Sequence, residues 1–282
     1  VIVIVGPTAS GKTTLSIELA KKYNAVILNA DSTQIYKEPL IATAKIKEDE
    51  KENIPHFLFD RISLNEDYTL YDYQKEGREL LDKLISENKN IIIVGGSGLY
   101  LKALLYDYNL EETNNQRIDF SSYTNEELKN EADTIDKENG IHVNNRQRLE
   151  RYITYFRQTG KTITKKEESN NKLYEFTSIG LKPDREELYN MINLRVEKMF
   201  DEGLLEEAES LYKLNLKNYS NIIGYRELKD YFENKTTLDE AKNLIKQNTR
   251  HYAKRQFTWF NNQMKDIEWF KVDYNNFNNT IN

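Results

Sequence analysis

The sequence predicts an α/β fold, a parallel sheet covered by helices and interrupted by a helical insertion domain. Three observations predict it. The chain opens as apolar strand, glycine loop and helix: Val1–Val5, Gly6–Thr13, then Thr14–Tyr23 with Leu15, Leu19 and Ala20 at helical spacing. Ile91-Ile92-Ile93-Val94 is an unbroken apolar run, the mark of a parallel strand buried on both faces. Between 111 and 171 the chain turns polar and charged, with few strand signals.

The remaining elements follow in order. Ala25–Leu28 reads as a second strand ending at Asn29-Ala30-Asp31-Ser32. Thr69–Asn88 reads as a helix begun by a Thr69/Asp72 capping box. The Ile91–Val94 strand ends in Gly95-Gly96-Ser97-Gly98 and re-enters a helix at Leu99. Phe176–Leu181 restores a strand, and Asp184 with Glu187 caps the helix after Pro183. Helices are expected at about 202–214 and 238–263, the second started by Thr237 and Glu240. Residues 1–110 and 172–270 should form the core, 111–171 the insert and 271–282 a frayed, asparagine-rich tail.

Composition limits the chemistry. Of 282 residues, 38% are apolar and 30% charged, as in a globular protein with a proper core. Without cysteine, disulfide, iron–sulfur and zinc-thiolate sites are excluded. His56, His142 and His251 lie too far apart in sequence for a metal-ligand pattern. No apolar run approaches the roughly 18 residues of a membrane span, and the N-terminus lacks a signal pattern. The missing initiator methionine suggests a slightly trimmed start. A cytoplasmic monomer without membrane contact is expected.

The net charge of −6 argues on its face against a nucleic-acid partner, but the charge is uneven. Acids crowd 48–52 and 126–138, whereas Arg146, Arg148, Arg151, Arg157, Lys161, Lys165 and Lys166 face only Glu150 in their stretch. Lys242, Lys246, Arg250, Lys254, Arg255 and Lys265 have no acid among them. Local patches decide phosphate binding.

Gly6, Pro7, Thr8, Ala9, Ser10, Gly11, Lys12 and Thr13 match G-x-x-x-x-G-K-[ST] after a strand and before a helix, which marks a P-loop and a P-loop NTPase-like, nucleotide-kinase-like core. Such a loop turns successive N–H groups inward on phosphate oxygens. Lys12 adds a charge and the Thr13 hydroxyl can hold Mg²⁺. Read alone, the motif suggests ATP.

A nucleotide hydrolase would place an aspartate after a strongly apolar strand, but here that strand ends in glycine and serine. Asp31 is the acid at a strand's carboxyl end near the cradle, where ligands sit in this fold. It is a candidate general base, or else a turn-capping residue. Gly95–Gly98 is either a tight turn or a loop that lets a large substrate approach. On the helix after Asp184, Leu188, Met191, Ile192, Val196 and Met199 share a face with Arg195 at its centre. That arginine either pairs with a buried carboxylate or reaches the phosphate site.

Several stretches together resemble one family, the tRNA dimethylallyltransferases (tRNA isopentenyltransferases). They are Gly6–Thr13 (GPTASGKT), Asp31–Tyr36 (DSTQIY), Ile41–Lys45 (IATAK), Gly95–Tyr100 (GGSGLY), Ile141–Arg151 (IHVNNRQRLER), Ile192–Met199 around Arg195, Ile223–Leu228 (IGYREL) and Ile245–Phe260 (IKQNTRHYAKRQFTWF). The matches are collinear over nearly the whole chain. The resemblance implies transfer of a dimethylallyl group from dimethylallyl diphosphate to the exocyclic amine of the adenosine 3′ of the anticodon. The partner would be a tRNA anticodon stem-loop with its base extruded.

In those roles the cradle holds the donor's diphosphate. Lys12, Arg195 and Mg²⁺ bound at Thr13, with Asp31 nearby, stabilise the leaving pyrophosphate, and Asp31 takes the amine proton. Asp31, Ser32, Thr33, Gln34 and Ser97 resemble residues of the acceptor channel. Arg117, Gln147, Arg148, Leu149, Glu150 and Arg151 resemble those gripping the loop, and Gly224, Tyr225, Arg226, Lys254, Arg255 and Gln256 further tRNA contacts. Ala42 stands where the family usually has glycine, Ser97 where threonine is usual, and Val143 and Arg146 replace prolines. Lacking cysteine, the chain has no zinc finger and looks bacterial. The alternatives are an adenylate isopentenyltransferase, a P-loop small-molecule kinase and a non-enzymatic RNA-binding switch.

Overall fold

The computed structural model describes residues 1–108, 110, 118–162, 171–274 and 277. Two compact units divide the chain, Val1–Tyr106 with Lys172–Asn282, and Asp107–Asn171.

In the first unit, β1 (Ile2–Val5), β2 (Ala25–Asn29), β3 (His56–Phe57), β4 (Asn90–Val94), β5 (Thr177–Pro183) and β6 (Ile267–Val272) form one sheet. Its order is β3-β2-β4-β1-β5-β6 and every pair is parallel. Parallel strands need crossovers, supplied here by α1 (Lys12–Tyr23), α2 (Leu70–Ser86), α3 (Gly98–Leu105), α6 (Arg185–Asp201), α7 (Leu204–Lys213), α8 (Tyr225–Phe232) and α9 (Leu238–Gln263). Helices on both faces explain the unbroken apolar strands: Val3, Ile4, Ile27, Leu28, Ile92 and Ile93 have no exposed surface. Thr69/Asp72 and Thr237/Glu240 form the expected capping boxes, and the Asp184 carboxylate accepts from the amides of Glu186 and Glu187.

β6 corrects the expected fraying at Lys271 and Val272. The strand continues past Phe270, with Lys271 and Val272 paired to Lys182 and Pro183, and Val272 fully buried. Beyond it, the Tyr274 hydroxyl donates to the Ala9 carbonyl at 2.9 Å, so the chain returns to the glycine loop. Among the described residues no helix is long and apolar enough to cross a membrane.

The second unit packs α4 (Asn125–Ile135) against α5 (Arg146–Thr159) around Phe120, Leu128, Ala132, Ile141, Leu149, Tyr152 and Ile153. Two of its arginines hold this small core together. Arg146 donates to the carbonyls of Tyr123 and Phe120 and pairs with Glu150, and Arg157 pairs with Glu131 and lies over the Phe120 ring. The basic character read from the sequence around 146–166 is therefore partly internal. Lys165 and Lys166 lie outside the described residues.

Candidate active site

The glycine loop joins β1 to α1 at the carboxyl ends of the strands. Its curl needs left-handed backbone at Gly11 (φ 89°) and at Ala9 (φ 63°), the latter held by Tyr274. Lys12 Nζ donates to the Pro7 carbonyl at 2.7 Å, folding the side chain back over the loop. Burial lowers the Lys12 pKa to about 8; Asp31 opposes the shift and Arg195 adds to it. Lys12, Asp31 and Arg195, far apart in sequence, thus share one electrostatic neighbourhood.

Arg195 projects from α6 and its Nη1 donates to Thr8 Oγ1 at 3.3 Å. Among the described residues it has no carboxylate partner, and its hydrogen bond goes to the glycine loop. Burial pushes its pKa down and the neighbouring Tyr274 pushes it back. A guanidinium kept beside a phosphate loop without an anion is poised to receive one. Ser10 fits the same picture: its hydroxyl is fully buried and has no hydrogen-bond partner among the described residues.

Asp31 leaves β2 in a tight turn. Its Oδ1 accepts from the Thr33 amide at 2.9 Å and from the Thr33 hydroxyl at 2.7 Å. Its backbone amide donates to Asn29 Oδ1 at 2.9 Å. Turn-capping and a chemical role are compatible, because no hydrogen bond from a described residue reaches Oδ2. Ser97 Oγ accepts from the Ser32 amide at 2.9 Å and contacts Ser32 Oγ at 3.1 Å, tying the second glycine loop to the Asp31 turn. Gln34 is occupied locally, its amide donating to the Thr43 carbonyl at 3.0 Å.

The second loop's glycines serve the protein's own packing. A Cβ would fall 2.1 Å from the Ala30 carbonyl at Gly95, 2.0 Å from Gln256 Nε2 at Gly96 and 1.9 Å from the Trp259 ring at Gly98. Close approach is indeed their reason, but the approaching groups come from β2 and α9 rather than from a substrate.

Gln256 is the residue whose place the sequence reading missed. Its Oε1 accepts from the Thr8 amide at 2.8 Å and its Nε2 donates to the Gly96 carbonyl at 3.0 Å, so one buried amide joins both glycine loops. Tyr73, Tyr100 and Tyr252 were missed as well. All three hydroxyls are held protonated, by burial first and also by the charge of Asp31. Nothing in sequence spacing links three tyrosines from three helices to one aspartate.

Several expected RNA contacts are corrected by burial. Leu149 belongs to the core of its unit, and Tyr225 is fully buried with its hydroxyl on Glu207 at 2.6 Å. Gly224 is buried, its amide donating to Glu227, and Gln256 is spent on the two loops. Lys246 pairs with Glu197 and Arg250 donates to Asn193, so that part of the basic stripe fastens α9 to α6. Gln147, Arg148, Arg151, Lys254 and Arg255 are exposed, Glu150 is half-buried against Arg146, and Arg226 is exposed though paired with Glu227. Arg117 lies outside the described residues.

A glycine loop of P-loop sequence with two part-shielded cations, in one electrostatic neighbourhood with a carboxylate and three tyrosines, defines a protein of the P-loop NTPase-like class. The comparisons name its kin. The IPP transferase profile matches residues 34–263, and the chain belongs to that family. The tRNA dimethylallyltransferase of Enterococcus faecalis (strain ATCC 700802 / V583) is 42% identical over 281 residues, covering 95% of this chain and 91% of that protein. The tRNA dimethylallyltransferase of Anoxybacillus flavithermus (strain DSM 21510 / WK1) is 42% identical over 281 residues, covering 96% and 90%. Among solved structures, the full-length tRNA isopentenylpyrophosphate transferase of Bacillus halodurans superposes with a TM-score of 0.73 at 35% identity, covering 97% of this chain and 91% of that one. A eukaryotic dimethylallyltransferase described as acting on tRNA superposes with a TM-score of 0.80 at 26% identity, covering 96% and 73%.

Proposed function

We propose that this chain transfers the dimethylallyl group of dimethylallyl diphosphate to the exocyclic amine of the adenosine 3′ of a tRNA anticodon, releasing pyrophosphate. One observation carries the residue roles: Lys12 of the phosphate loop, Arg195 and Asp31 share one electrostatic neighbourhood at the strand ends. Family membership and the names of the relatives support the reaction itself.

In this reading the donor's diphosphate sits in Gly6–Thr13 against the inward amides. Lys12 and Arg195 stabilise the charge that grows on it as the allylic carbon–oxygen bond breaks. The adenine amine donates a hydrogen bond to Asp31 Oδ2, forms the new nitrogen–carbon bond and gives up its proton to that carboxylate. The Tyr100 and Tyr252 rings exclude water and offer π faces to positive charge developing on the allyl group.

The donor set fits a magnesium ion held largely by substrate. Thr13 is exposed on the first turn of α1, and among the described residues no group of three or more acids or histidines could hold a metal. Thr13 Oγ1 and diphosphate oxygens would carry the ion, which supplies further neutralisation of the leaving group. Asp31, with one oxygen committed to Thr33, serves the amine better than the metal.

The unit Asp107–Asn171 is the RNA grip in this proposal, through the exposed Gln147, Arg148 and Arg151 on α5. Incubating the protein with dimethylallyl diphosphate and a synthetic anticodon stem-loop tests the reading. The expected product is an RNA heavier by one dimethylallyl group at the base 3′ of the anticodon. Consumption of ATP without prenyl transfer would overturn it.

A further inference from the structure

A cavity of about 720 Å³ opens beside Pro7, at the carboxyl ends of β5 and β6. That volume falls within the range of about 300–1,000 Å³ of small-ligand sites. It shares Pro7 with the glycine loop, but none of Lys12, Asp31 or Arg195 lines it.

Its lining combines two kinds of group. Lys182, Arg185, Lys254 and Lys271 bring four cations from β5, α6, α9 and β6. Among the described residues none of them forms a salt bridge. The single acid in the lining, Asp184, caps α6 through the amides of Glu186 and Glu187 and also feels the charge of Lys271, which leaves Lys182, Arg185 and Lys254 without an acid in the lining. Against these cations stand aromatic rings. Phe257 and Trp269 lie 5.1 Å apart between centroids, and Lys182 Nζ lies 5.9 Å from the centre of the Phe257 ring. Arg185 lies 5.4 Å over Tyr189.

Cations in excess of acids around an aromatic floor match one ligand chemistry, a phosphate joined to a flat base. Phosphate alone would not use the rings, and an apolar ligand would not use the cations. Rings accept any base by its face, and lysines accept any phosphate as a point charge. We propose that this cavity is a nucleotide subsite, with the base against Phe257 and Trp269 and the phosphate between Lys182, Lys254 and Lys271. The nucleotide comes either from an RNA strand or from the free pool, and the RNA source rests on the function proposed above.

Binding without turnover tests the site. Trp269 emission is titrated with AMP, with inorganic phosphate and with an anticodon stem-loop, in wild type, Trp269→Leu, Lys182→Glu and Lys271→Glu. Lys182 and Lys271 are exposed, so the charge reversals should leave the fold intact even if the tryptophan variant is destabilised. A free-nucleotide site predicts saturable AMP quenching, weakened about tenfold in each charge reversal and lost in Trp269→Leu. An RNA site predicts stem-loop affinity reduced about tenfold in the same variants, with a shallower salt dependence for the charge reversals and little AMP quenching. Wild-type AMP binding without stem-loop binding would sink the tRNA reading and leave the subsite standing. Inorganic phosphate binding as tightly as AMP, or variants indistinguishable from wild type towards both nucleotide probes, would overturn the subsite.

Discussion

Gln256 and Thr8 lie 248 positions apart in the chain, yet the Gln256 carboxamide oxygen accepts the Thr8 amide at 2.8 Å. The same carboxamide donates to Gly96, so α9 sets the spacing between the phosphate loop and the loop that carries Ser97. Gln256→Leu leaves the Thr8 amide and the Gly96 carbonyl without partners, at about 1–3 kcal/mol for each buried group. The expected result is a lower melting temperature and a donor KM raised about tenfold or more. Stem-loop affinity should stay within about twofold, since the side chain is buried. Gln256→Glu keeps an acceptor for Thr8 and should fall between. Loss of RNA affinity alone would show that Gln256 is an RNA contact after all.

In the proposed reaction Asp31 accepts the amine proton. Removing a positioned general base costs typically about 10²–10⁴ in rate. Both Asp31→Ala and Asp31→Asn should therefore lose turnover by that order, with stem-loop binding little changed. Asparagine can still accept from Thr33, so it preserves the turn and separates the chemical role from the capping one. An asparagine variant with near-normal kcat would remove Asp31 from the chemistry and leave it a turn residue.

The strand–loop–helix opening and the buried central strands were legible because period and motif are local signals. The helices begun by Thr69, Asp184 and Thr237 were legible for the same reason, as caps are written within four residues. β6 was not, since IEWFKV is an edge strand with mixed exposure and its partner is Ser178–Pro183, about ninety positions away. Arg195 could be singled out because a charge on an apolar helix face demands an explanation. Leu149 and Tyr225 show the opposite failure. Motif membership marked them as binding residues, whereas their helical phase, had it been used, pointed Leu149 inward beside Tyr152 and Ile153. The Gln256 bridge and the tyrosines around Asp31 exist only in the tertiary arrangement.

If Lys12 binds the donor as proposed, that binding depends on pH. Its folded-state pKa is lowered from 10.5 to about 8 by burial, with Asp31 partly opposing the shift. Between these values the unfolded chain binds the proton and the folded chain does not, so stability from this group rises with pH from about 8 towards 10.5. Diphosphate binding runs the other way, because it needs the ammonium form. Affinity for inorganic pyrophosphate should be flat below about pH 8 and fall above it, with proton uptake on binding in that range. In Asp31→Asn the opposing charge is gone and the fall should begin at lower pH. Isothermal titration in two buffers of different ionisation enthalpy reads both effects. A pyrophosphate affinity independent of pH between 7 and 9.5 would exclude Lys12 as the titrating ligand.

Tyr274 holds the phosphate loop from outside. Its hydroxyl donates to the Ala9 carbonyl, and Ala9 sits at φ 63°, a left-handed conformation that a non-glycine residue keeps only when its surroundings enforce it. Phe277 packs on the neighbouring Gly11, where an added Cβ would meet its ring at 2.4 Å, so two aromatic residues brace the loop. Tyr274→Phe removes one hydrogen bond and keeps the ring among Leu15 and its neighbours. A neutral hydrogen bond contributes about 0.5–1.5 kcal/mol, so the donor KM should rise about two- to tenfold and the melting temperature should fall by no more than a few degrees. Tyr274→Ala also removes packing and should lower the melting temperature. The two variants together separate loop geometry from bulk stability: a phenylalanine variant with wild-type pyrophosphate affinity would mean that Ala9 keeps its conformation without the tyrosine.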